Sequence, residues 1–294
     1  MRKSKKRTLL FIVSLKAIAF ISLILFAACM REKEIDMEGF YTEKPVVYSI
    51  ISPGEDIHIY ISKTLPFHFS VEKIPVVHDA KVLLFGNDTS IEVPFNNERE
   101  HYFIPKESFP VLTGKKYILN IVMSNGLESM STTTVPQTNP VWVSIGQKII
   151  NRNSGDESSK LIEFSFAWKN DCVENCSYYV FSNEIFQRTA NGNYYIFPDE
   201  TYQGDVLRAI YTDVYDNFRT IHHAKISLIK ASPEMKRFTD YEEQLRLIND
   251  QLDMGLFWEL YRGVIPEYTN INGGYGFFGS YLKSDTTINI RSMY

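Results

Sequence analysis

Short runs in which apolar and polar residues alternate dominate the chain from Pro45 to Ile150. Such alternation is typical of strands that bury one face, and turn residues separate the runs. The strongest hairpin signal is Asn125-Gly126, which lies between two of these runs. The predicted strands are Val46–Ile51, Ile57–Ser62, Ala80–Phe85, Ser90–Phe95, His101–Ile104, Lys116–Met123, Glu128–Val135 and Val141–Ile150. Together they predict an antiparallel, Ig-like β-sandwich.

A second series of strands follows Pro136 and Pro140, which interrupt any strand ladder and indicate a boundary near residue 137. The predicted strands of this half are Lys160–Trp168, Tyr178–Ile185, Tyr194–Phe197, Val206–Tyr211, Ile221–Lys230 and Thr286–Arg291. We therefore expect a mainly β protein, with a β-sandwich domain over residues 45–137 and a second β-rich domain over residues 138–294.

One amphipathic helix is predicted within the second domain, near residues 233–253. Ser232-Pro233 supplies an N-cap and a proline in the first turn, where proline is tolerated. The apolar residues recur at helical spacing on one face, at Tyr241, Leu245, Ile248 and Leu252.

The charge of the chain is distributed unevenly. The 294 residues include 31 Lys and Arg against 35 Asp and Glu, for a net charge of −4. Six of the positive charges lie in residues 1–28, which contain no acidic residue, so the remainder has 25 basic against 35 acidic residues, or −10. An acidic body does not fit a nucleic-acid-binding protein, and we expect no nucleic-acid partner.

Residues 1–28 have the form of a signal peptide, with a basic start and an apolar run that ends at Ala27-Ala28 before Cys29. The segment Leu25-Phe26-Ala27-Ala28-Cys29 resembles the lipobox of bacterial lipoproteins, whose cysteine is lipidated before cleavage. The alternative is an uncleaved membrane anchor, but Lys16 lies within the apolar run, where a charge costs about 3 kcal/mol. We therefore expect lipid on Cys29. At about 0.8 kcal/mol for each buried CH₂, several acyl chains would hold the protein at the membrane. Residues 29–44 then form an acidic tether.

Two cysteines remain, Cys172 and Cys176. In an exported protein the oxidising compartment favours a disulfide between them, and free thiols or a metal site are the alternatives. The adjacent His222 and His223 fit a metal site poorly, because neighbours on a strand point to opposite faces.

Other short motifs have no coherent catalytic context. Gly274 to Gly279 spell G-x-G-x-x-G, but too little chain follows for a crossover helix, so close backbone approach explains the glycines better. Ser227 and Lys230 spell S-x-x-K in a predicted strand, where they point to opposite faces. Acidic residues at 199, 200, 205, 213 and 216 alternate with tyrosines, which permits glycoside chemistry but fixes no carboxyl separation. We expect no catalytic residues, no metal and no cofactor.

Three stretches resemble the Bacteroidota lipoproteins grouped as domain of unknown function 4249. They are Lys44-Pro45-Val46-Val47-Tyr48-Ser49-Ile50 with Ile59-Tyr60-Ile61-Ser62-Lys63-Thr64, then Leu112-Thr113-Gly114-Lys115-Lys116-Tyr117-Ile118-Leu119 leading into Thr132-Thr133-Thr134-Val135-Pro136, and finally Asn270-Ile271-Asn272-Gly273-Gly274-Tyr275-Gly276-Phe277-Phe278-Gly279. The resemblance implies an outer-membrane lipoprotein associated with TonB-dependent transporters, and it carries over no catalytic residue.

The expected function is therefore that of a lipid-anchored outer-membrane or cell-surface lipoprotein, a non-enzymatic binding or accessory partner of a TonB-dependent transporter in nutrient uptake. A structural or adhesive fimbrial-type subunit is one alternative. A hydrolase that uses the acidic residues is another.

Overall fold

The computed structural model describes residues 42–65, 75–154, 157–172, 177–186, 194–196, 205–214, 218, 221–241 and 268–290. The strands of the first half are β1 (Pro45–Ile51), β2 (Ile57–Lys63), β3 (Lys81–Gly86), β4 (Thr89–Glu92), β5 (Phe95–Asn96), β6 (His101–Ile104), β7 (Lys116–Val122) and β8 (Glu128–Thr134). Those of the second half are β9 (Trp142–Ser154), β10 (Glu157–Lys169), β11 (Ser177–Phe181), β12 (Tyr194–Ile196), β13 (Val206–Val214), β14 (His223–Ala231) and β15 (Tyr275–Asn289). Helix α1 spans residues 233–241.

These strands form three sheets. The largest has eight strands in the order β12-β11-β14-β15-β1-β2-β6-β5, and the others have the orders β4-β3-β7-β8 and β13-β10-β9. The eight-stranded sheet contains strands from both halves of the sequence, because β15 pairs with β14 on one side and with β1 on the other. The prediction of a mainly β fold with a single helix is confirmed for the described chain.

One face of the eight-stranded sheet, which we call the inner face, contributes to two hydrophobic cores. Val47 of β1 and Phe278 of β15 belong to the first core, together with residues of β3 and β7. Ile226 of β14 and Ile290, just after β15, belong to the second core, together with residues of β10 and β13. Alternate residues along β15 point to the same face, so this one strand contributes to both cores. The predicted boundary near residue 137 stays a prediction.

The pairing of β1 with β15 is parallel, and it depends on glycine. Val47 lies opposite Gly276, which has a φ of +102°. A Cβ on Gly276 would collide with the carbonyl oxygen of Val47. The close backbone approach that the sequence suggested for G-x-G-x-x-G is therefore present, within a strand that is much longer than the predicted Thr286–Arg291.

Helix α1 begins where the sequence predicts. The hydroxyl of Ser232 accepts a hydrogen bond from the amide of Met235 at 3.3 Å, which makes Ser232 the N-cap. Ser232 also pairs with β15, since its amide donates to the carbonyl of Ser280 at 2.9 Å. The start of the helix is thus held against the middle of β15. Residues 242–253 of the predicted helix lie outside the described residues.

An ion pair with a buried lysine connects the segment that follows β8 to the second half of the chain. The ammonium of Lys230 lies 2.8 Å from a carboxylate oxygen of Asp171 and donates to Thr138 at 2.8 Å. Tyr178 donates to the same carboxylate at 2.5 Å. Burial raises the pKa of Asp171, but hydrogen bonds from Lys230, Thr138 and Tyr178 together lower it below its usual range.

We predict that Gly276→Ala lowers the free energy of unfolding by at least about 3 kcal/mol, because backbone strain and a collision with Val47 act together. Gly126→Ala is the matched control, since Gly126 also has a positive φ, of +84°, but has open space around its Cα. It should cost about 1–2 kcal/mol. Urea denaturation followed by tryptophan fluorescence measures both, and equal losses would contradict the role given to the β1–β15 pairing.

We also predict that Lys230→Met lowers the free energy of unfolding by about 3 kcal/mol, because it leaves the carboxylate of Asp171 without its cation. The control is Lys225→Met, which breaks an ion pair whose lysine side chain is 61% exposed. Solvent screens that pair, so the unfolding midpoint should barely move. A similar midpoint for the two variants would show that the Lys230 pair is not structural.

Candidate binding site

The residues that the sequence singled out for modification lie mostly outside the described residues. Cys29 and Cys176 both lie outside the described residues, so lipid attachment at Cys29 stays a prediction. Cys172 is described and is disulfide-bonded. Its pairing with Cys176 also stays a prediction.

The S-x-x-K residues do not act together. Ser227 and Lys230 lie on strand β14 and point to opposite sides of the sheet. Ser227 donates to Asp285 at 2.7 Å, whereas Lys230 contacts Asp171 on the inner side. The interpretation of this motif as a chance match agrees with these contacts.

The remaining candidates are dispersed. His223 forms a 2.7 Å hydrogen bond with the side chain of Asn289, and among the described residues no group of His, Cys, Asp and Glu is arranged to hold a metal ion. Of the acidic residues, Asp213 accepts a hydrogen bond from Tyr211 at 3.0 Å. Asp199, Glu200 and Asp216 lie outside the described residues.

The structure points instead to the other face of the eight-stranded sheet, which we call the outer face. Strand register fixes its members, because residues directly opposite each other on neighbouring strands share a face. Phe181 lies opposite Ser227, Ser227 lies opposite Asp285, and Tyr48 of β1 lies opposite Phe277 of β15. The outer face therefore extends across β11, β14, β15 and β1, and it holds two cavities.

The first cavity, which we call the polar cavity, has a volume of about 350 Å³. Its lining residues include Asn183, Glu184, Lys225, Ser227, Tyr281 and Lys283. At one side Lys225 lies 2.8 Å from a carboxylate oxygen of Asp285. Burial raises the pKa of Asp285, but hydrogen bonds from Lys225 and Ser227 outweigh burial, so the net shift is downward and the carboxylate is charged at neutral pH.

At the other side of the polar cavity, Glu55 from the β1–β2 turn accepts hydrogen bonds from Tyr281, at 2.5 Å, and from Lys283. Burial raises the pKa of Tyr281 far above its usual value, and the hydrogen bond to Glu55 adds to the effect. The Tyr281 hydroxyl therefore stays protonated and acts as a donor. The polar cavity is thus lined by two ammonium groups and the carboxylate of Glu184, and Asp285 and Glu55 are the ion-pair partners of the two lysines.

The second cavity, which we call the apolar cavity, has a volume of about 180 Å³ and lies between the sheet and α1. Phe238 of α1 stacks on Phe277 with ring centroids 4.4 Å apart, and Tyr48 contacts both rings edge-on. The hydroxyl of Tyr179 forms a hydrogen bond with the hydroxyl of Thr239 of α1, at 2.5 Å. Aromatic contacts and one hydrogen bond therefore hold the helix over this part of the outer face.

A histidine pair lies farther along the outer face, on β2 and β6. Nδ1 of His58 is 2.8 Å from Nε2 of His101, whose own Nδ1 is 2.7 Å from the carbonyl of Arg99. Because a carbonyl only accepts, His101 donates from Nδ1, and in a neutral pair its Nε2 then accepts from Nδ1 of His58. Burial lowers the pKa of His58, and the nearby His101 and Arg99 lower it further, against the opposing effect of Asp56 and Glu55.

The fold and these cavities define a mainly β, sandwich-like protein with two cavities on one face of its shared sheet. The family described as Domain of unknown function (DUF4249) matches residues 31–287, and the chain belongs to this family. The resemblance seen in the sequence is thereby confirmed. No curated protein matches the chain. Among the residues that the structure describes, no helix is both long and apolar enough to cross a membrane.

We predict that the stability of the protein decreases as the pH falls below about 6.5, the ordinary pKa of histidine. The folded chain resists protonation of His58, whereas the unfolded chain does not. The unfolded state therefore binds more protons as the pH falls, and the free energy of unfolding decreases. His58→Gln should weaken this decrease, and His222→Gln, at an exposed position, should leave it intact. The readout is the urea midpoint between about pH 5 and pH 7, and an identical pH profile in wild type and His58→Gln would refute the assignment.

Proposed function

We propose that this protein is a lipid-anchored outer-membrane lipoprotein that binds a small ligand on its outer face and works as a non-enzymatic accessory partner of a TonB-dependent transporter in nutrient uptake. The observation that carries the proposal is the pair of adjoining cavities on a sheet that two cores support from behind. A binding surface fixed in this way loses little conformational entropy when a ligand binds.

The groups in the polar cavity favour binding over catalysis. The hydroxyl of Ser227 donates a hydrogen bond to Asp285, and the same carboxylate forms an ion pair with Lys225. Its lowered pKa makes it a poor proton acceptor. Tyr281 holds its proton even more firmly than an ordinary tyrosine. These groups are arranged to donate and accept hydrogen bonds with a bound molecule.

The sequence of the N-terminal segment supports the anchor and the location. A basic start, an apolar run and Ala27-Ala28 precede Cys29, and an acidic tether over residues 29–44 separates that cysteine from β1. A tether of this length allows the body to lie near the membrane surface while its sheets remain in water. Acyl chains on Cys29 hold the protein to the bilayer in this proposal.

Purification of the affinity-tagged full chain from native membranes in mild detergent tests the proposal. We expect a stoichiometric outer-membrane transporter barrel to co-purify. Laddered polymers of the chain itself would favour a structural subunit, and turnover of glycans or peptides without a barrel would favour a hydrolase. Either result contradicts the proposal.

The anchor is tested in the same preparation with Cys29→Ala. We expect this variant to leave the membrane fraction, or to keep an unprocessed mass, and to lose the co-purified barrel. Ala28→Ser is the matched control, because it keeps a small residue before the cysteine, and it should behave as the wild type does. Unchanged membrane partition and mass in Cys29→Ala would refute lipid attachment.

A further inference from the structure

The polar and apolar cavities adjoin on the outer face. Phe181 and Ile229 line both of them. A molecule that lies across these two residues therefore has charged and hydrogen-bonding groups on one side and aromatic rings on the other. This juxtaposition selects ligands that carry charge at one end and a compact apolar group at the other.

The charges in the polar cavity are of both signs and are open to exchange. The side chains of Lys225 and Lys283 are 61% and 36% exposed, and their carboxylate partners, Asp285 and Glu55, are each 31% exposed. Ion pairs in such positions are screened by solvent and are weakly held. A ligand carboxylate can therefore bind to the two ammonium groups, while a ligand ammonium binds to Glu184, the carboxylate on the cavity wall.

The volumes set the size of the ligand. The polar cavity, at about 350 Å³, lies within the range of small-molecule sites, roughly 300–1,000 Å³. The apolar cavity, at about 180 Å³, is close to engineered cavities of about 150 Å³ that bind benzene. It therefore has room for one aromatic or bulky aliphatic side chain.

We propose that the two cavities form one binding site for a short zwitterionic peptide with an aromatic or bulky aliphatic residue. Its carboxylate binds Lys225 and Lys283, its ammonium binds Glu184, and its apolar side chain enters the space under α1. The inference rests on the proposed function, because it names the class of ligand that the outer face holds.

A zwitterionic phospholipid headgroup offers the same two charges. The apolar cavity argues against it, because the walls formed by Phe238, Phe277 and Tyr48 leave space for one side chain. Two acyl chains need a much longer apolar groove. The peptide is therefore the occupant that both cavities fit.

Isothermal titration calorimetry on the full chain in phosphatidylglycerol nanodiscs tests the site. The probes are Gly-Phe, Gly-Gly and N-acetyl-Gly-Phe-amide, which separate the apolar side chain from the terminal charges. We expect Gly-Phe to bind at least tenfold more tightly than either of the others. Equal binding of the blocked peptide or of Gly-Gly would overturn the proposal.

Three variants locate the site. Lys283→Gln should weaken Gly-Phe binding about tenfold, and Ile50→Phe should weaken it by filling the apolar cavity. Lys63→Gln, which breaks a comparable exposed ion pair with Glu43 away from both cavities, should bind as the wild type does. Circular dichroism checks that each variant is folded. Equal affinities for the wild type and Lys283→Gln would overturn the proposed site even if Ile50→Phe failed to fold.

The outcomes also separate this inference from the proposed function. Absence of peptide binding in a chain that still co-purifies with a transporter barrel overturns the peptide inference alone. Binding of short-chain phosphatidylethanolamine that Gly-Phe cannot displace assigns the site to lipid and overturns it as well.

Discussion

Six residues of β1 pair in parallel with six residues of β15, one strand near the start of the described chain and the other near its end. This pairing inserts β15 between β1 and β14 and so makes one sheet of eight strands from two groups of strands. The sheet β4-β3-β7-β8 packs on one part of the inner face, and the sheet β13-β10-β9 packs on another part. The pairing is possible only because Gly276 lets the backbone of β15 approach the carbonyl of Val47. The cores and the outer face both depend on this contact.

The local elements could be predicted from the sequence because their causes are local. Alternation places the strand Val46–Ile51 within one residue of β1, and Ser232-Pro233 marks the start of α1 correctly. The sequence pattern does not predict the length of β15, since the glycine and aromatic residues between 274 and 281 have no clear alternation. The pairing of β15 with β1 cannot be predicted from the pattern for a different reason. Periodicity shows which face a residue occupies, but not which distant strand lies beside it.

The candidate site is harder to predict than the fold. Lys225 is exposed between two buried residues along β14, and Lys283 and Asp285 alternate with less exposed residues along β15. In each strand alone this is the pattern of a solvated face. The two sets of charges meet only because the strands pair, and Glu55 joins them from a turn that precedes β15 by more than two hundred positions. The alternating charges indicate a shared polar cavity only when the pairing of β14 with β15 is known.

Strand β15 also places core residues and cavity residues on opposite faces of one sheet. Phe278 and Leu282 point to the inner face and belong to the first core, while Phe277, Tyr281 and Lys283 point outward and line the cavities. The start of α1 is held at Ser280, between these positions. Lys283 is exposed, so its substitution changes the charge of the polar cavity and leaves both cores intact, whereas Phe277 is buried against Phe238 of α1. The same sheet can therefore present different polar residues in the polar cavity while its two cores and its shared strand stay unchanged.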